Sequence, residues 1–293
     1  MTTSFKAALS VVAGAALWGF ISVFVRRLTA LGLSSMQIVA LRGLFGCLLL
    51  GLYLLVREPS ALRIRLRHAW CFAGTGLFSF AFFNWCYFTT IRESQASIAV
   101  VLLYTSPIFV MLLAAAVFRE KITGFGLAAV AATFLGCMLV AGPAGGVTLR
   151  VLLTGLGSGF GYALYSIFGR FALRHYGSLT VTFYTMFFGL WAVVPLARPA
   201  QTAAFVLREP EILFWAAGIA LFCTVLPYIL YTWGLARMPA GRAAVLATIE
   251  PVVGALLGWL AYGEPMGPAK VAGIALILSA VFLLQRGENN TKK

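Results

Sequence analysis

The chain has 293 residues, of which 61% are hydrophobic and only 10% charged, and its mean hydropathy is +0.96. A soluble domain is nearer half apolar and a quarter charged, so this composition excludes an ordinary soluble protein. The net charge of +14 does not indicate nucleic acid, because the basic residues stand singly or in short clusters between apolar runs, without interleaved stacking aromatics.

A membrane-crossing helix needs ~20 mainly apolar residues. Ten such segments are predicted, at about 5–25, 36–56, 69–90, 94–118, 122–141, 150–172, 178–197, 212–235, 240–262 and 268–285. The first ends in Arg26-Arg27 with no small-residue cleavage site, so it reads as a retained span rather than a signal peptide. Arg42 lies some turns inside the second and is expected to snorkel to the interface. The third contains "SFAFFNWCYFTT", which puts Phe80, Asn84 and Tyr87 on one helical face.

The fourth segment, "YTSPIFVMLLAAAVFREK", begins at Tyr104 and carries Pro107 and then Glu120. The sixth is narrow, with Gly155, Gly157, Gly159 and Gly161, and the ninth holds the pair Gly254 and Gly258; both patterns read as close helix packing. The ninth, "ATIEPVVGALLGWLAYGEP", repeats the fourth: Pro251 and Glu264 follow Pro107 and Glu120 at an offset of 144 residues. At that offset Trp18 faces Tyr162, Ser22 faces Ser166, Arg26 faces Arg170 and Tyr87 faces Tyr231.

Five segments per half is an odd number, so the second half must enter from the opposite face. The predicted fold is therefore all-α and integral to the membrane: ten helices as two inverted five-helix repeats, 1–145 and 146–293, around a central cavity. Fourteen of the 22 Lys and Arg residues fall on the side that holds both termini, which assigns that side to the cytoplasm; Arg26-Arg27 opposes the bias. A proline inside a span removes a helix hydrogen bond and clashes with the carbonyl four residues back, here that of Leu103 or Ala247. Freed carbonyls are tolerated where protein or a wet cavity surrounds them, so Pro107 and Pro251 read as hinge or cavity positions, with ordinary kinks as the alternative.

Few residues offer chemistry. Aspartate is absent, the five cysteines lie in apolar segments without a C-x-x-C pair, and His68 and His175 show no metal-ligand spacing. No catalytic or nucleotide-binding motif is present. The expectation is a non-enzyme with no cofactor and no metal.

Glu250 stands near the middle of the ninth segment, where an acidic side chain costs at least ~2.5–3.5 kcal/mol. It can attract a substrate amine, carry a coupling proton, or lock helices through an arginine. Glu120 and Glu264 lie ~20 Å from their prolines, at the membrane edge, where each is expected to cap the following helix. Trp18, Asn84, Tyr87, Tyr104, Tyr162, Tyr228 and Tyr231 supply aromatic and hydrogen-bonding groups that suit a small amphipathic ligand; lipid-facing belt residues are the alternative.

The stretches "ALWGFISVFVRR", "PIFVMLLAAAVFREKITG" and "EPVVGALLGWLAYGEPMGPAKVAGIALI" resemble the drug/metabolite transporter superfamily, in its EamA-like ten-span branch, over essentially the whole chain. Length and the aromatic third segment are similar to the bacterial aromatic amino-acid exporters. Ser106 stands where the second repeat has Glu250, so that carboxylate lacks a symmetric partner. The resemblance implies alternating access and export of a small metabolite across the cytoplasmic membrane, with neutral or aromatic amino acids the expected substrates. Export of lipophilic cations, a non-transporting receptor or scaffold, and a channel are the rival readings. The partners expected are a small-molecule substrate and the lipid bilayer, not nucleic acid.

Overall fold

The structure, a computed structural model, describes residues 3–142 and 148–291, with side chains through residue 282. Among the described residues every regular element is helical. Eight helices are long and apolar enough to cross a membrane: one (Thr3–Ala30), two (Ser35–Arg57), four (Ala96–Phe118), five (Gly124–Ala141), six (Leu149–Ala172), seven (Ser178–Ala197), eight (Glu211–Leu235) and nine (Ala240–Tyr262). Two further expected spans are helical but fall outside that set. Helix three, residues 69–93, is rich in aromatic rings, Gly, Ser, Thr and Asn, which dilute its apolar character. Helix ten (Pro268–Thr291) has a described apolar part of only Pro268–Phe282.

Short polar signals set the helix starts. The Thr123 hydroxyl accepts from the Gly126 N–H (3.0 Å) and the Thr148 hydroxyl from the Val151 N–H (3.2 Å). At helix two the Gln37 side chain reaches back to the Ser34 N–H (2.8 Å), closing a capping box.

Helices four and nine are broken rather than kinked. Helix four divides into Ala96–Leu103 and Ser106–Phe118, and helix nine into Ala240–Leu246 and Ile249–Tyr262. Pro107 and Pro251 fall in the first turn of the second pieces, where a missing N–H leaves no hydrogen bond unmade. At each break a threonine hydroxyl donates to a carbonyl three residues back: Thr105 to Leu102 and Thr248 to Val245, both at 2.6 Å. Helices three and eight share another irregularity, a π-helical stretch at Gly74–Phe82 and at Leu221–Val225. Such widened turns rotate the residues that follow and occur often at functional sites.

The narrow stripe on helix six is a packing surface. A Cβ at Gly155 would lie 2.1 Å from Leu102 Cδ1, and one at Gly159 would lie 2.8 Å from the Leu102 carbonyl. Helix six thereby sits directly against the broken part of helix four.

Contacts between the connecting loops define two ends of the bundle. At one end Tyr176 accepts from the Arg65 N–H (2.9 Å), Tyr184 donates to Leu62 O (2.7 Å), and Arg170 pairs with Glu120. At the other, Arg27 pairs with Glu211 (2.7 Å), Arg150 with Glu93 (3.1 Å), and Arg26 with Glu264.

Candidate functional site

A cavity of about 330 Å³ opens between helices one, two, three, four, six, eight and nine. Its inner wall is aromatic. Trp18 stands edge-on to Tyr162 (centroids 6.2 Å) and Tyr228 (5.4 Å), and 5.6 Å from Tyr231. Phe83 bridges Tyr162 (5.5 Å) and Tyr87 (5.9 Å). Edge-to-face rings of this kind form stiff walls that still present hydroxyls.

Six of the expected aromatic and amide residues line this one space: Trp18, Asn84, Tyr87, Tyr162, Tyr228 and Tyr231. The belt alternative is set aside for these six, since all face the cavity. Asn84 is partly committed, because its Nδ2 donates to Phe80 O at 2.6 Å within its own π-disturbed helix. The Tyr231 hydroxyl is bonded to Ser166 (2.8 Å), and Tyr165 to Thr232 (2.5 Å), which ties helix six to helix eight at the cavity floor.

Glu250 lines the cavity from the first turn of the second piece of helix nine. The helix break thus sets this carboxylate in the first turn of a new helix, with the Glu250 N–H bonded to Ala247 O at 3.1 Å. Its Oε2 is buried and has no hydrogen-bond partner, although the Tyr104 and Tyr162 hydroxyls approach the carboxyl.

Tyr104 does not line the cavity. It ends the first piece of helix four, where its ring packs with Cys137, Val140 and Val252 in a separate apolar cluster, and it is 7% exposed. Only its hydroxyl looks toward Glu250. The unwinding at Tyr104–Thr105, invisible to helical spacing, turned the ring away.

Arg42 corrects a second expectation. It does not snorkel to the membrane surface: it is 6% exposed, lines the cavity, and sets its guanidinium over the Phe80 ring at 5.2 Å. It lies ~10 Å along helix two from Ser35 and faces the bundle interior, so the side chain has no lipid-side path to water.

Glu120 also departs from expectation. It does not cap helix five, which begins at Gly124 and is capped by Thr123. It accepts from the Ala240 N–H (3.1 Å) at the start of helix nine, and it pairs with Arg170. Glu264 pairs with Arg26 and lies 3.8 Å from Lys270 near the start of helix ten.

The cavity extends from Glu250 and Tyr231 along Ser22, Arg26, Ile91 and Ala96, toward the end of the bundle marked by Arg26–Glu264. No residue from the loops at the Arg170–Glu120 end lines it among the described residues.

The sequence profile of the EamA-like transporter family matches residues 5–142 and again residues 149–286. A protein of Archaeoglobus fulgidus described as an uncharacterized transporter is 27% identical over 277 residues, 94% of this chain and 95% of its own length. The threonine/homoserine exporter RhtA of Escherichia coli K12 is 27% identical over 201 residues, 67% of this chain and 65% of its own. A solved crystal structure superposes with a TM-score of 0.79 over 98% of this chain and 99% of that one at 17% identity, a likeness of fold alone.

Proposed function

The chain belongs to the EamA-like transporter family, and from that premise we propose that it exports small neutral or aromatic amino acids by alternating access. The observation that carries this reading is the aromatic cavity with, among the described residues, a single carboxylate, Glu250, whose Oε2 is buried without a partner. Ring walls select a small amphipathic molecule, and the carboxylate supplies an anchor for an ammonium group. Similarity to the threonine/homoserine exporter favours an amino acid over a lipophilic cation. So does the buried guanidinium of Arg42 in the same cavity, which repels a ligand that carries only positive charge.

In this reading residues 1–145 and 146–293 are two inverted five-helix repeats, with helices three and ten completing ten spans. The matching breaks in helices four and nine, and the matching π-stretches in three and eight, support it. Pro107 and Pro251 keep the two pieces of each broken helix from fusing, so the pieces can tilt separately. With both termini cytoplasmic in an inner membrane, the cavity in this structure faces outward.

Counterflow into proteoliposomes tests the function. Vesicles loaded with unlabelled tryptophan should accumulate labelled tryptophan, saturably and in competition with other neutral amino acids. No accumulation with demonstrably folded protein would remove this substrate class, and a cationic drug entering instead would establish the rival.

A further inference from the structure

We propose that Arg42 is the carboxylate-binding residue of the cavity, so that Arg42 and Glu250 together select zwitterionic α-amino acids. This rests on the transport reading above for its physiological setting, but it concerns binding.

A buried guanidinium is costly, and it cannot escape by losing its proton. Packed helices offer two usual solutions, an ion pair or a full set of hydrogen bonds. Arg42 has neither complete: its Nε has no hydrogen-bond partner, and its plane rests on Phe80. Glu250 lines the same cavity, but no ion pair or hydrogen bond joins it to Arg42 among the described residues, and its Oε2 too is without a hydrogen-bond partner. Two opposite charges therefore line one small cavity, each with hydrogen-bonding capacity unused.

A ligand with an ammonium and a carboxylate on one carbon completes both. Its carboxylate would take the planar fork of Arg42, its ammonium the Glu250 carboxylate, and its side chain the ring wall of Trp18, Tyr162 and Tyr228. Symmetry points the same way. The positions 144 residues away are Met186, buried in the core, and Ser106, so neither charge has a counterpart in the other half. A charge present in one half of a pseudo-symmetric frame and absent from the other is not required by the frame.

The test compares matched ligands on the full-length protein. Tryptophan, tryptamine (no carboxylate) and indole-3-propionate (no amine) are measured by ligand-induced thermal stabilisation, with threonine and 1-amino-2-propanol as a second pair. Wild type should bind each amino acid at least about tenfold more tightly than the matched amine, as expected for loss of a charge-assisted hydrogen bond. Arg42→Gln should erase that preference, weakening amino-acid binding while the amine binds at least as tightly as to wild type because the repelling charge is gone, and Arg42→Lys should restore part of the preference. Should Arg42→Gln fail to fold, the wild-type and Arg42→Lys comparisons still decide.

Equal binding of amino acid and amine by wild type, or an undiminished preference in Arg42→Gln, overturns the assignment. So does wild type that binds no amino acid of the set. Amino-acid preference without counterflow upholds the Arg42 site and removes the transport reading instead.

Discussion

Arg170 is ion-paired with Glu120, and the Oε1 atom of that carboxylate also accepts from the Ala240 N–H at 3.1 Å. The residues at the 144-residue offset form the reciprocal pair, Arg26 with Glu264, at the other end of the bundle. Each arginine also lies over a ring: Arg170 over Phe118 at 5.2 Å and Arg26 over Tyr262 at 4.1 Å, again offset partners. Each ion pair joins one half of the chain to the other.

The two ends are not in the same state. Ala96, counterpart of Ala240, lines the cavity instead of capping onto Glu264. Ser166 and Tyr231 are hydrogen-bonded across helices six and eight (2.8 Å), whereas among the described residues no hydrogen bond joins their counterparts Ser22 and Tyr87, although all four line the cavity. The Arg170 end is latched, and the Arg26 end has its ion pair at the rim, with side chains 51% and 36% exposed.

From this asymmetry Glu120→Gln should release the latched end, while Glu264→Gln should change little. Exposed pairs contribute ~0–1 kcal/mol, less than a partly buried pair that also caps a helix. A cysteine at Ser166 should label several-fold faster from the Arg170 end in Glu120→Gln and at the wild-type rate in Glu264→Gln. Equal effects of the two substitutions would remove the assignment of states.

Tyr231→Phe should cost ~1 kcal/mol in stability of this state by deleting the bond to Ser166. Tyr87→Phe should cost nothing measurable here, since among the described residues Tyr87 has no such bond to Ser22. Thermal unfolding of the two variants side by side provides the check.

Glu250→Gln keeps the shape of the side chain and removes its charge. Transport should fall by at least about tenfold, from loss of a charged hydrogen bond to the substrate amine. Transport as fast as wild type at every pH tested would eliminate both the amine-anchoring and the proton-carrying roles.

Gly273 tests packing apart from the site. A Cβ there would sit 2.6 Å from the Gly136 carbonyl, where helices five and ten cross, and backbone cannot move aside cheaply. Gly273→Ala should destabilise the protein by ~1–3 kcal/mol. Ligand specificity should stay unchanged in whatever folds, because neither residue lines the cavity.

Pro107→Ala and Pro251→Ala bear on the hinges. Each would permit the two pieces of its helix to join, so turnover should slow while substrate affinity is kept. Loss of affinity with turnover intact would assign the prolines to the site instead.

Much of this protein was legible in one dimension. Composition and segment length determined the membrane class, because repeated apolar segments of about 20 residues match the thickness of a bilayer core. The 144-residue offset marked the prolines, the paired glutamates and the aromatic positions, because a repeat writes itself into residue identity. Other features depended on which way a side chain faces. Periodicity identifies a face only when the other faces are polar, and in segments apolar all round it carries no such signal. Arg42 could therefore be read as a snorkelling residue until the packing of helix two turned it inward over Phe80. Tyr104 read as a cavity residue until the break in helix four set it against Cys137 and Val252. Glu120 read as the cap of its neighbour until tertiary contact gave it Arg170 and the start of helix nine. Sequence determined which residues are costly to place in a membrane; only the tertiary structure decided what each one faces.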